Sequence, residues 1–275
     1  VARFDTGFAP SLPDRVNYAA RLARMTRDDS DIQLAEDLLQ QRIEQDLPPF
    51  DRLYSFNQLA SLRLVRDNRE GAMDAYRQTL RLFDLHPEFA ASGRDITRFN
   101  LASLLVFTGG DTGEASQLAN LIVTEDLALK GESLQTGRGY LIRGLAAEAE
   151  GRIDDALGDL QAAYDNFSGY AGASSSHAIS ALSAIAFAHA SSGNWQAADS
   201  TLGLARNALS DVDSDDPRNR AVRIAQLLTR LSAREDAVAI SDAMQAEAID
   251  PRLRTDALSR YYHERLSQVL MERLP

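Results

Sequence analysis

Residues 182–205 read LSAIAFAHASSGNWQAADSTLGLA, and this stretch decides the fold. Apolar and small residues recur three and four apart on both sides of Ser192-Gly193-Asn194, which reads as a turn between two helices. Leu182, Ile185 and Ala186 mark the first helix; Ala198, Leu202 and Ala205 mark the second. The small residues have a physical reason. Antiparallel helices joined by a short turn approach closely only where Cβ groups are small.

Working outward, the same arrangement recurs along the chain. An aliphatic residue and a small one are followed, twelve or thirteen residues on, by an Ala in a second apolar stretch. The sets are Leu22-Ala23 with Ala35, Leu59-Ala60 with Ala72, Leu101-Ala102 with Ala115, Arg143-Gly144 with Ala156, Ile185-Ala186 with Ala198, and Ile224-Ala225 with Ala237. Asp28-Asp29-Ser30, Asp67-Asn68, Gly109-Gly110-Asp111, Gly151, Ser192-Gly193-Asn194 and Ala233-Arg234 supply the turns. The second alanines are spaced 37, 43, 41, 42 and 39 apart, a period of helical repeats. Pro48-Pro49, Pro87, Pro217 and Pro251 fall where helices should begin or end.

These residues resemble the tetratricopeptide repeat (TPR). The best matches are Phe56…Leu59-Ala60…Ala72…Tyr76, Tyr140…Gly144…Gly151…Ala156…Leu160…Ala163, and Leu182…Ile185-Ala186…Gly193…Ala198…Leu202…Ala205. The first and last units are degenerate, and Arg143 replaces the usual leucine of the fourth. The spacing is similar to that of the long, roughly 40-residue variants in peptide-sensing regulators and kinesin-light-chain-like proteins. The resemblance implies an all-α fold: a right-handed α-solenoid of about six helix pairs over 15–249, after an N-terminal tail at 1–14. At 250–275, Asp250-Pro251 opens a last helix whose stripe is Leu258, Tyr261, Tyr262, Leu266, Val269, Leu270 and Leu274. It reads as a cap on the open end of the solenoid or as a connector to a further domain.

Composition narrows the function. Of the 275 residues 44% are hydrophobic, which is the composition of a folded chain. With 29 basic and 40 acidic side chains the net charge is -11, which argues against a nucleic-acid partner. No run is long enough for insertion into a membrane. Zero cysteines exclude disulfides and thiolate metal sites. The only Lys is Lys130, read as codon bias in a GC-rich, bacterial source. A start at Val1 fits a removed export signal and a shortened chain equally well, and the lack of Cys is compatible with export but common in cytosolic proteins. The expectation is a periplasmic or otherwise exported location slightly ahead of a cytoplasmic one.

No enzyme, cofactor or metal site is expected. In Asp211-Val212-Asp213-Ser214-Asp215-Asp216 the carboxylates alternate as in a calcium loop. The Gly and Glu such a loop requires are replaced by Asp216 and Val222, so Asp216 reads as a helix cap. His86, His177, His189 and His263 stand singly, without metal-ligand spacing. Gly137-Arg138-Gly139 has Ile142 where a dinucleotide loop needs its third glycine. The stretch Ser168 to Ser176 lacks the closing Gly of a nucleophile elbow and reads as a flexible link.

The TPR resemblance implies a ligand groove lined by first-helix residues. Carried over, these are Arg24, Arg27, Asn57, Ser61, Leu64, Phe99, Asn100, Ser103, Val106, Arg138, Leu141, Leu145, Glu148, Ser183, Phe187, Arg223 and Gln226. Phe187 and Leu141 are the expected apolar anchors, with Arg138 and Arg223 facing acidic groups of a protein or peptide partner. Two other readings stand beside this one: the residues pack between repeats, or a terminal segment fills the groove. The family's carboxylate clamp is not reproduced as a set. The resulting expectation is a peptide-binding interaction module. Its alternatives are the sensory domain of a bacterial signalling protein, such as a membrane-bound regulator or diguanylate cyclase, and a scaffold that self-associates into homo-oligomers.

Overall fold

The computed structural model describes residues 11–130, 133–213, 216–233, 240–241, 243–245 and 257–271. Among them every regular element is a helix. In order these are α1 (Leu12–Thr26), α2 (Asp29–Ile43), α3 (Pro49–Val65), α4 (Arg69–Leu85), α5 (Ala91–Phe107), α6 (Thr112–Lys130), α7 (Leu134–Ala149), α8 (Ile153–Ala171), α9 (Ser176–Ser191), α10 (Trp195–Ala208), α11 (Pro217–Ser232) and α12 (Ala257–Met271). The fold is therefore the all-helical repeat array expected. The six first helices are α1, α3, α5, α7, α9 and α11. Arg234, Ala237, Asp250, Pro251 and Leu274 lie outside the described residues. The helices cluster into two compact units, Val1–Leu104 and Leu105–Pro275, with the division inside α5.

The turns explain the period. Asp67, Gly109, Gly151 and Gly193 all adopt positive φ, between 57° and 83°, and they stand 42 residues apart. After each, the next residue's N–H donates to the carbonyl five residues back. Asn68 reaches Arg63 at 2.8 Å, Gly110 reaches Leu105 at 2.8 Å, Arg152 reaches Ala147 at 2.9 Å, and Asn194 reaches His189 at 2.8 Å. This is the Schellman closure of a helix, which needs a left-handed residue and so favours Gly. Three of the four turns then cap the following helix. The side chains of Asn68, Asp111 and Asn194 accept from the N–H of Gly71, Glu114 and Ala197 at 3.0, 2.9 and 3.3 Å. One short segment thus ends a helix and starts its partner.

In the first unit Ala23, Ala35, Ala60 and Ala72 are all fully buried, as paired small residues must be. Ser11 caps α1, so Leu12 and Pro13 belong to a helix rather than to a tail. In the second unit α7 is approached from both sides. A Cβ on Gly139 would lie 2.7 Å from Val123 Cγ2, and one on Gly144 would lie 2.7 Å from Leu160 Cγ. Arg143 takes the leucine position differently. Its guanidinium donates twice to Asp159, at 2.7 and 2.6 Å, and once to Asn120, at 2.9 Å, joining α6, α7 and α8. The expected flexible link at Ser168 to Ser176 is mostly helical. α8 runs to Ala171, Gly172 ends it at φ 88°, and Ser175 caps α9. Asp216 caps α11 through the Arg218 N–H, and hydrogen bonds from Arg218 hold its carboxyl down at about 2.

Candidate functional site

The first-helix surface is the candidate site, and its two parts differ. In the first unit it is open. Tyr54, Leu64 and Val65 of α3 and Ile96 of α5 are exposed, at 48%, 38%, 37% and 44%. They lie at the same helical register as Asn57, Ser61, Phe99, Asn100 and Ser103, all of which are half-buried. Ser61 and Asn100 are less available than the sequence suggests. Both hydrogen-bond the buried Tyr76 hydroxyl, whose pKa burial raises and these two bonds partly restore. Arg24 and Arg27 are exposed at the end of α1.

In the second unit the equivalent surface is occupied. Leu141, Leu145, Val106 and Phe187 are buried, and Phe187 is only 1% exposed. The expectation of Leu141 and Phe187 as accessible anchors is therefore corrected. The ring of Phe187 stacks on Tyr262 of α12, with centroids 4.4 Å apart and planes 20° apart. Tyr261 lies against Phe107, with centroids 5.4 Å apart. Tyr261, Tyr262, Leu266 and Leu270, four residues of the expected apolar stripe, are buried. α12 therefore reaches back over α9, α7 and the end of α5 as well as packing on α11. A signal for this was present in the sequence. α9 is apolar all round, with Ala181 to Ala188 buried without a break, and such a helix needs cover on every side.

Glu148, near the end of α7, holds this arrangement together. Its carboxylate is almost fully buried and accepts from Arg265 Nη2 at 3.0 Å and Nη1 at 3.2 Å, from the Ser191 hydroxyl at 3.1 Å, and from the Tyr261 hydroxyl at 3.3 Å. Burial and the Glu148 charge push the Tyr261 phenol well above its usual range. Burial works against the Arg265 cation, but Glu148 and Tyr261 together outweigh it and the pKa rises. Arg265 also lies 5.9 Å from the centre of the Phe187 ring.

The remaining expected residues of the second unit lie on α7, α9 and α11. Arg138 is half-buried, donating to Gln135 Oε1 at 3.3 Å and lying 3.3 Å from His177 Nε2. A guanidinium only donates, so a hydrogen bond here requires the neutral His177 tautomer with its proton on Nδ1. Burial, and secondarily the Arg138 charge, lower the His177 pKa. Ser183 is buried and donates to the Ile179 carbonyl at 2.9 Å. Arg223 and Gln226 of α11 are half-buried. Among the described residues no group of acidic, His or Cys side chains has metal-binding geometry, and no helix is long and apolar enough to cross a membrane.

No protein-family model matches the sequence, and neither does any curated protein. Solved structures do match. A kinesin-light-chain-like protein from Podosopora anserina with nearly identical TPR-like repeats aligns at TM-score 0.58 and 19% identity, over 74% of this chain and 98% of its own. Apo RapI aligns at TM-score 0.66 and 12% identity, over 96% of this chain and 76% of its own. NprR, solved in complex with its cognate peptide NprX, aligns at TM-score 0.64 and 14% identity, over 95% of this chain and 72% of its own. With the 42-residue recurrence of its turns, the chain has the fold of a TPR-like helical repeat protein.

Proposed function

We propose that this chain is a non-enzymatic module that binds a peptide or protein segment on its first-helix surface. The observation that carries the reading is the pair Leu64 and Ile96, with Tyr54 and Val65. Each is a large apolar side chain left exposed on a first helix of the first unit, at the register of the residues that the TPR resemblance assigns to the groove. Contiguous exposed apolar side chains mark interaction surfaces. The structure of NprR with its cognate peptide supports a peptide as the type of ligand. Arg15, Arg21 and Arg24 outnumber Asp14 in α1, and Arg27 is its C-cap, so this end of an acidic chain is basic and the favoured segment combines apolar anchors with carboxylates.

A displayed random-peptide library, panned on the whole chain, tests this. Selected peptides should be apolar and acidic. By calorimetry their affinity should fall at least tenfold for Leu64→Asp and for Ile96→Asp, with helicity and thermal midpoint retained. Unchanged affinity in both variants would move the site off the first unit.

A further inference from the structure

Glu148 presents a problem that its own repeat does not solve. A buried carboxylate is strongly destabilising unless it is paired and hydrogen-bonded. Its cationic partner Arg265 comes from 117 residues away in sequence and belongs to α12, as does the Tyr261 hydroxyl; Ser191 adds the remaining hydrogen bond. The surface is therefore built around an acidic centre flanked by Phe107 and Phe187, and it is complete only when a helix brings a cation to it.

α12 has the matching chemistry. Residues 261–270 read YYHERLSQVL, in which Tyr261 and Arg265 stand one turn apart and share Glu148. Tyr262, Leu266 and Leu270 continue the apolar stripe, while Glu264, Gln268 and Met271 are exposed. With Arg260 and Arg265 against Glu264, the helix is basic in a chain of net charge -11. Only one stripe of it is engaged. A cleft of about 520 Å³ opens along its side, bounded by Phe107, Thr108, Gly109, Arg265 and Gln268. Arg265 thus borders open space while α12 is docked, and Glu148 stays buried behind it.

We propose that the first-helix surface of the second unit is a receptor for an amphipathic, basic helix of a partner protein. Its recognition pattern is Tyr-Tyr-x-x-Arg-Leu-x-x-x-Leu, Glu148 is the specificity-determining residue, and α12 is the built-in competitor that the partner helix displaces. This rests on the reading of the first-helix surface as the ligand side, but it uses a different set of residues from Leu64 and Ile96.

The test uses the full chain and a labelled peptide of residues 257–271, followed by fluorescence anisotropy. In Arg265→Glu the internal helix carries a carboxylate toward Glu148 and is repelled. That variant should bind the native-sequence peptide at least tenfold more tightly than wild type does, and amide exchange over 257–271 should accelerate. A peptide bearing Arg265→Glu should fail on it but bind the Glu148→Arg chain. A second peptide, with the same stripe on an otherwise Ala and Gln scaffold, should bind like the native one. If Arg265→Glu loses helicity, Tyr262→Ala serves as the releasing variant, because it removes the stack of α12 on Phe187 and leaves the Glu148 carboxylate unchanged for the peptide.

Native and charge-reversed peptides binding equally would overturn the proposal. So would absence of peptide binding when α12 exchanges fast, or slow exchange of α12 in both releasing variants. Concentration-dependent dimers of the released chain by light scattering would also overturn it, by making a second copy the occupant. Loss of library-peptide binding in Leu64→Asp tests the first unit alone, so the two readings fail separately.

Discussion

At the scale of single residues, the glycines divide into those that hold helices together and those that do nothing of the kind. Gly144 faces Leu160 and the Ala156 carbonyl, whereas nothing lies within 4 Å of a Cβ added at Gly158. Gly144→Leu should therefore destabilise the fold by about 1–3 kcal/mol through overpacking. Gly158→Ala, in the exposed interior of α8, should stabilise it by about 0.5–1 kcal/mol, since Ala loses less backbone entropy in a helix. Urea midpoints measure both. His177 gives a pH signature. Its folded pKa lies below the ordinary 6.5, so the unfolded chain takes up the proton first. The stabilisation it provides is present above pH 6.5 and is lost as pH falls through the folded value. Thermal midpoints of wild type should thus decline between pH 7 and pH 5 more steeply than those of His177→Gln. Parallel curves would show that the imidazole is not responsible.

At the scale of elements, the helix pairs were legible and the cover over them was not. Small residues such as Ala60, Ala72 and Ala186 sit where the repeat pattern requires, because contact within a pair is local and is written in spacing. What covers α9 is a contact between residues 187 and 262, far apart in sequence, and no periodicity reports it. The apolar stripe of α12 showed that one face is buried but not against what. Ser61 and Asn100 teach the same lesson, since their hydrogen bonds to Tyr76 come from neighbouring helices that the sequence does not align. The site was legible only as a surface. Its open part and its occupied part look alike in the residue pattern. Phe187→Ala should accordingly behave as a core truncation, destabilising by about 3–5 kcal/mol, and not as the loss of an exposed anchor. Denaturant unfolding followed by helicity would show this. A midpoint equal to wild type would mean that the stack on Tyr262 contributes nothing.

At the scale of the whole molecule, the turns at Asp67, Gly109, Gly151 and Gly193 share a positive φ, the same closing hydrogen bond and a 42-residue spacing. Deleting residues 68–109 joins Asp67 to Gly110 and leaves a left-handed residue followed by the Gly110-Asp111 cap. That shortened chain should stay helical by circular dichroism and unfold cooperatively. A deletion shorter by two residues breaks the turn and should leave a less cooperative, partly unfolded product. Cooperative unfolding of both would mean that the turn geometry does not set the register. The equal turns also bear on how such a chain changes over generations. A gene whose breakpoints fall in the turn codons can lose or gain a 42-residue block through unequal crossing-over and still encode a folded product, so the number of repeats is open to inheritance in whole steps while the sequence on either side stays untouched.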